Sequence, residues 1–505
     1  MSIATTYSAQ LVGLAIEIIS VEVDISNGLH AFSIVGLGDR SVDEAKDRIS
    51  AAIKNSGFTS PKQRNHKVVI SLAPADLRKE GPSFDLAMAI AYLTATGDVQ
   101  APERNALLFG ELSLEGNIRK TSGLLPLLCQ AHRHGFTTAF VPTDNIAEAS
   151  LAQNMTIYAA SRLDEIIGHL SGDKPLCPIG PATLSPTLDY AHTTDMQTVR
   201  GNETAKRSLE IAAAGAHNII MSGPPGTGKT MLAHAFHSIL PPLSYEQAVE
   251  VTGIHSAARS LTEHIITHPP FRAPHHTASY PSVIGGGAIP KPGEITLAHR
   301  GVLFLDEFTE FDRDVIEALR QPLEDHSVTI SRARGTVTFP AQCIFVASMN
   351  PCPCGKGIEN GCVCPRREID KYRRKISGPI LDRIDIWMNV HKVDYDELSA
   401  TTPTGESSKD IRARIIVARL RQEQRFKKYG LTKYYNSEMN ARDIDLCVTL
   451  DENARETLKL SAQKFELSGR GYHRIIKVAQ TIADLAGTDT IRKEHILEAL
   501  QYKKV

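Results

Sequence analysis

Gly223-Pro-Pro-Gly-Thr-Gly-Lys-Thr230 joins a short apolar run, His217 to Met221, to a segment of helical spacing, Met231 to Leu240. It matches G-x-x-x-x-G-K-[ST] and stands in the strand, loop, helix setting that the pattern needs. Gly223, Gly226 and Gly228 let successive backbone N–H groups turn toward one anion, and the start of a helix adds its positive end. Lys229 is then placed for the outer phosphates of a nucleotide, and Thr230 for Mg²⁺. The plainer reading is a glycine turn without a ligand, and the flanking strand and helix weigh against it.

Further along, Gly301-Val-Leu-Phe-Leu-Asp-Glu307 is an apolar run ending in two carboxylates. That is the form of a buried parallel strand delivering acids to its C-terminal edge. Asp306 is expected to hold Mg²⁺ and Glu307 to polarise the attacking water; a surface turn after a core strand is the alternative. Cys343 to Met349 reads as a third strand, ending in Asn350, a neutral group suited to orient that water beside the γ-phosphate. These strand ends resemble those of an AAA+ ATPase, and Leu381-Asp-Arg-Ile-Asp385 resembles the segment that carries the arginine finger in the magnesium-chelatase clade. The resemblance implies that Arg383 acts on a neighbour's ATP, an effect on the order of 10³–10⁵ in rate where such arginines are measured. Hydrolysis would then require a ring. An ion pair of Arg383 with Asp382 or Asp385 is the plainer reading. Leu467-Ser-Gly-Arg-Gly-Tyr-His-Arg474 resembles the sensor 2 region, with Arg470 the better match and Arg474 the substitute.

The chain has 505 residues, with 56 Lys and Arg against 57 Asp and Glu. A formal charge of −1 excludes a generally basic nucleic-acid coat or an acidic tail, so any polyanion is met locally. At roughly 150 residues per domain, the length suggests about three domains. No apolar run approaches the roughly 20 residues that cross a bilayer. Glu17 interrupts Leu11 to Ile19, and no Lys or Arg precedes that stretch, which is not the pattern of a secretion signal. Eight cysteines are too sparse for a disulfide scaffold. The expected setting is reducing cytoplasm, with no membrane partner and one local cysteine site.

Val21, Val23 and Ile25 alternate with Glu22, Asp24 and Ser26, the period of a strand with one wet face. Ala31 to Val35 supplies a second strand. Ser41 to Ser56 has helical spacing, with Ser41 as cap and Gly57 past its end. Lys67 to Leu72 reads as a strand, Asp85 to Thr96 and Leu124 to His134 as helices, so 1–170 is expected to be an α/β domain. Gly172, Pro175, Pro178, Gly180, Pro181 and Pro186 break the pattern over 171–195, an interdomain linker. The nucleotide domain, 196–392, opens with a helix over Glu203 to Ala214. Over 393–505 the pattern is helical, in Ile411 to Lys428, Asp451 to Phe465, Tyr472 to Ala486 and Lys493 to Tyr502.

Phe271-Arg-Ala-Pro-His-His-Thr-Ala-Ser279, Ala212 to Gly215 leading into His217-Asn218, and Asn350-Pro-Cys-Pro-Cys-Gly355 together resemble the ComM (YifB) family of magnesium-chelatase-like AAA+ proteins. The resemblance covers essentially the whole chain; Asn202 follows Gly201 where that family's pattern has Gln. It implies an α/β fold in three parts: a Lon-like α/β N-terminal domain, a P-loop AAA+ α/β core with a parallel sheet, and a C-terminal helical lid. It also implies ATP and Mg²⁺ as cofactors, a homo-hexameric ring, and a helicase that drives branch migration during natural transformation, with branched or single-stranded DNA as partner. A magnesium-chelatase-type motor, a chaperone-like protein remodeller and an ATP-gated scaffold are the alternatives.

Lys79-Glu-Gly-Pro-Ser-Phe-Asp85 resembles the serine loop of Lon peptidases, and Gly110-Glu-Leu-Ser-Leu-Glu-Gly-Asn117 the strand before their catalytic lysine. Ser83 would be the nucleophile, but a hydroxyl without a base is inert, and Leu125 fills the lysine position. A scaffold is expected in place of a peptidase. Ser327 to Phe339 has two β-rich arms around Arg332 to Gly335, a hairpin signal. In the chelatase clade this resembles a hairpin facing a central pore, which makes Arg332 and Arg334 the candidate DNA contacts. Read from residues alone, solvated tip charges are the favoured account. Ser282 to Thr296, rich in Gly and Pro, resembles the companion insertion.

Cys352, Cys354, Cys362 and Cys364 form C-x-C-x₇-C-x-C, and four thiolates fill a tetrahedral Zn²⁺ shell. Free thiols and redox pairing are the other readings. Just beyond, Arg366, Arg367, Lys371, Arg373, Arg374 and Lys375 outnumber Glu368 and Asp370, a local positive strip or a solvated helix face.

Overall fold

A computed structural model of the chain describes residues 2–12, 15–79, 81–182, 194–258, 260, 265–287, 291–332, 335–357, 361–393 and 405–503. The chain divides into two compact units: 1–185 together with 245–266, and 186–244 together with 267–505.

The first unit is built on a seven-stranded sheet in the order Ala31–Val35, His66–Ala73, Ala15–Asn27, Ser2–Val12, Ala106–Leu108, Thr138–Pro142, Thr156–Ala160. Ser2–Val12 pairs antiparallel along its whole length with Ala15–Asn27, from Ser2 opposite Ile25 to Val12 opposite Ala15. Because successive side chains point to opposite faces, the sheet carries two cores. Val21, Val23 and Ile25 meet Ile49, Ile53, Leu86 and Ile90 of the helices Arg40–Asn55 and Asp85–Ala95. Ala9, Ile16 and Leu107 meet Leu124, Leu125 and Leu128 of the helix Leu124–Arg133. Val21 to Ser26 was expected as a strand; the strand starts earlier, at Ala15, and its partner Ser2–Val12 carries no apolar alternation. Two of its buried positions are Thr6 and Ser8, and the Thr6 hydroxyl donates to Ala87 O at 2.9 Å. The cap of Arg40–Asn55 is Asp39, two residues before the expected Ser41. Its carboxylate accepts from the backbone N–H groups of both Val42 and Gly81, at 3.1 Å each, a double acceptance that a serine hydroxyl serves less well.

The helix Tyr245–Ala257 belongs to this unit although its sequence neighbours on both sides belong to the other. Val249 and Ile265 pack on the core under Leu124–Arg133, and the Tyr245 hydroxyl donates to Leu151 O at 2.7 Å. Residues 171–182 of the expected linker are also held here, where Ile179 N donates to Ile157 O at 2.8 Å; 183–193 lie outside the described residues.

The second unit has a five-stranded parallel sheet in the order Phe271–Arg272, Val302–Leu305, Ile344–Met349, Ile219–Ser222, Ile386–Asn389. The three central strands are buried, mostly apolar runs, as both-face coverage demands. Parallel strands place all their C-terminal ends on one edge, so Gly223, Asp306 and Asn350 arrive together. The helices Ser408–Lys428, Glu452–Lys464, Gly469–Leu485 and Lys493–Gln501 share one apolar cluster with Glu203–Gly215. Gly469–Leu485 starts ahead of the expected Tyr472 because Ser468 caps it, accepting from Gly471 N at 3.1 Å.

Candidate functional site

Helix Lys229–Ser238 begins directly at the loop's lysine, and Gly226 and Gly228 hold φ of +75° and +85°, which an L side chain rarely adopts. A side chain at Gly223 would lie 2.4 Å from Val390 O, so the loop needs glycine there for close approach. Lys229 Nζ donates to Gly223 O at 2.6 Å, Pro224 O at 2.8 Å and Asn350 Oδ1 at 3.3 Å. Burial pushes its pKa below the ordinary lysine range, and Asp306 and Glu307 pull the other way.

Thr230 Oγ1 donates to Asp306 Oδ2 at 2.8 Å. Two hard oxygen donors so close fit Mg²⁺, which takes one or two protein ligands and keeps water and phosphate oxygens for the rest. Asp306 also accepts from Ser348 Oγ and from Glu307 N, the latter at 3.0 Å. Glu307 has φ +51°, and its side chain, 57% exposed, lies 3.9 Å from His276 Nδ1. Ser348 and His276 were not singled out from sequence for this site, although His276 lies in the quoted Phe271 to Ser279 motif. Gly226, Lys229, Thr230, Asp306, Glu307 and Asn350 line one cavity of about 470 Å³. A second, of about 180 Å³, shares Gly226 to Gly228 and adds Val199, Met231, Leu232 and Val393. Asn202, at its rim with φ +54°, exchanges two 3.1 Å hydrogen bonds with the His391 backbone.

Arg383 and Arg470 lie together, and neither lines the phosphate-loop cavity. Arg383 is paired with Glu324, in place of the Asp382 or Asp385 of the plainer sequence reading, and donates to Pro379 O. Arg470 reaches the other oxygen of Glu324 at 3.3 Å. Burial, then the nearby Arg470 and Arg320, lower the pKa of Arg383. Arg474 donates to Asp382 O. The His217-Asn218 motif holds this segment: Asn218 Nδ2 donates to Arg383 O at 3.0 Å, and His217 lies 3.1 Å from Asp385 Oδ2 and 2.8 Å from Thr481 Oγ1. Glu324 carries no sequence signal that would mark it.

The sulfurs of Cys352, Cys354, Cys362 and Cys364 lie within 4.8 Å of one another. Cys352 is 3.3 Å from Cys354 and 3.4 Å from Cys362, and Cys354 is 3.7 Å from Cys362. A tetrahedral shell with Zn–S bonds of about 2.3 Å sets sulfurs ~3.8 Å apart, so the donor set fits Zn²⁺.

In the first unit, Leu125 is fully buried in the apolar core, and its N–H donates to Glu148 at 2.9 Å. Lys79 is buried too, and its amine donates to Pro74 O. The hairpin of the second unit forms as Ser327–Arg332 against Gly335–Pro340, with the Arg332 backbone opposite Gly335; Arg334 lies outside the described residues. Gly285–Gly286 pairs with Lys291–Pro292 in the companion insertion. Among the described residues, no helix is long and apolar enough to cross a membrane.

Three family models match the chain in succession: subunit ChlI of Mg-chelatase over 21–145, magnesium chelatase subunit ChlI over 195–398, and the C-terminal part of that subunit over 405–503. An uncharacterised protein YifB of Salmonella typhimurium is 40% identical, covering 100% of this chain and 98% of the relative. Competence protein ComM of Haemophilus influenzae is 38% identical over the same shares. Lon protease 1 of Bacillus subtilis is 30% identical across 31% of this chain and 21% of its own length. Likeness of this degree from end to end, on a parallel-sheet nucleotide fold, makes the chain a member of the YifB/ComM family of magnesium-chelatase-like AAA+ proteins.

Proposed function

We propose that the protein is an ATPase that assembles as a homo-hexameric ring and converts ATP hydrolysis into branch migration or unwinding of DNA during competence-related recombination. The observation that carries the ATPase part is the convergence of Lys229, Thr230, Asp306, Glu307 and Asn350 on one cavity at the edge of a parallel sheet. The DNA part rests on full-length likeness to a protein named for competence.

In this reading the backbone N–H groups of Gly226 to Thr230 cradle the phosphates, and the smaller cavity receives the base. Lys229 trades its contacts on Gly223 O and Asn350 for phosphate oxygens. Thr230 and Asp306 would hold Mg²⁺, which would neutralise charge on the β- and γ-phosphates. Glu307 accepts a proton-side hydrogen bond from the attacking water, and Asn350 orients that water. Arg383, with Arg470 beside it, serves the ATP of the next subunit. Cys352, Cys354, Cys362 and Cys364 would hold Zn²⁺ and so close the loop after Asn350. Arg332 and Arg334 at the hairpin contact DNA phosphates. The division into a 1–170 Lon-like domain, linker, 196–392 core and 393–505 lid belongs to the same reading.

The test is ATP turnover with and without forked DNA, together with branch migration of a Holliday junction. Binding to single strands should weaken with salt at a log–log slope of roughly −0.7 per phosphate contact, and Arg332→Ala with Arg334→Ala should flatten it. The matched family models carry the magnesium-chelatase name, which favours a metal-inserting motor as second reading. Turnover that ignores DNA but responds to a porphyrin would select it, and response to protein substrate alone would select a remodeller.

A further inference from the structure

The cysteine loop is built into the nucleotide site at two points. Gly355, at φ +79°, sits so close to the phosphate loop that a Cβ there would lie 2.8 Å from Pro225 Cδ. Helix Arg366–Arg373 follows the last cysteine and buries a single tyrosine, Tyr372, among its exposed charges. The Tyr372 hydroxyl donates to Asn350 O at 3.1 Å and accepts from Thr309 Oγ1 at 2.7 Å. Thr309 is itself buried, two residues past Glu307, in the short turn Phe308–Glu310 that fixes how the strand leaves its carboxylates.

We propose that Tyr372 is a positioning residue for ATP hydrolysis: one buried hydroxyl ties the strand end bearing Asn350 to the turn bearing Glu307, and the cysteine loop holds that tie against the phosphate loop. The two groups that handle the attacking water are thereby set relative to each other by a side chain outside the cavity. A buried hydroxyl with one donor and one acceptor partner transmits position because moving either partner breaks a hydrogen bond. The inference rests on the assignment of Asn350 and Glu307 to the water, and it assigns a task to the loop beyond holding metal.

Tyr372→Phe keeps the ring and its packing while deleting both hydrogen bonds. Its kcat should fall roughly three- to tenfold, while nucleotide affinity, measured with a fluorescent ATP analogue, and zinc content stay at wild-type values. Gly355→Ala, which drives a methyl group into Pro225, should weaken nucleotide affinity as well as kcat. Glu307→Gln run in parallel separates the two levels of the reading. If Glu307→Gln stops turnover and Tyr372→Phe leaves kcat unchanged, the positioning role is wrong and the site assignment stands. If Tyr372→Phe lowers affinity, zinc content and kcat together, the residue is only structural and the inference fails. Near-native turnover in Glu307→Gln removes the assignment and the inference with it.

Discussion

Lys79 in the first unit is buried and Lys229 in the second half-buried; both donate to a backbone carbonyl of a proline, Pro74 or Pro224, and both have a pKa pushed below the ordinary range by burial. Their surroundings differ. Lys79 is fully covered, and its counter-charge is Asp76. Lys229 faces Asp306 and Glu307 across a cavity of about 470 Å³. A buried cation acquires a task when its counter-charges line open space, because an arriving anion then replaces contacts that already exist. Where protein groups fill that space, the same amine is a structural pin. The serine loop beside Lys79 is read the same way, since Leu125, the position taken for a peptidase's lysine, is a core residue.

The largest effects should come from the open site. Lys229→Ala should abolish productive ATP binding, and Glu307→Gln should keep ATP bound while turnover falls on the order of 10³-fold; equal, near-native rates in both would break the contrast. Next comes Arg383→Ala, expected to assemble and bind DNA yet lose hydrolysis by a similar factor. Mixed rings with wild-type subunits should recover part of the rate, and a variant that stays fully active alone would end the trans reading. Cys362→Ser should lower metal content from one zinc per chain toward none, with metal analysis of protein purified without added zinc as the check. The smallest effects belong to the first unit. Lys79→Ala should cost about 2–3 kcal/mol of stability, through a cavity and an unpaired carbonyl, with ATP affinity unmoved. Ser83→Ala should shift stability by less than ~0.5 kcal/mol; ATP-dependent proteolysis, or labelling of Ser83 by a serine-directed probe, would reopen the peptidase question.

The nucleotide loop was legible because its chemistry is local: eight consecutive residues and the ends of apolar strands specify it. What stayed hidden is non-local or lacks a pattern. Glu324, 59 residues from Arg383, is one acid among many until the fold brings it there. Ser2–Val12 buries threonine and serine, so it shows no hydrophobic alternation to read. The cap at Asp39 went to Ser41 because both are good caps, and only the second acceptance from Gly81, across 42 residues, decides between them. Tyr245–Ala257 lies inside the span read as the nucleotide domain, 196–392, and nothing local to it says which core it covers.

That helix makes the chain's two units inseparable by a single cut. The polypeptide leaves the nucleotide unit after Ser244, contributes Tyr245–Ile266 to the first unit, and returns at Thr267, just ahead of strand Phe271–Arg272. Trimming away 1–185 would therefore strip Val249 and Ile265 of the core they pack on, and residues 1–185 made alone would leave that core, under Leu124–Arg133, without them. Evolution can neither shed nor exchange the Lon-like part by simple truncation or fusion at one point. In gene-level terms the excursion is a staple, and it binds the inheritance of the Lon-like unit to that of the nucleotide unit.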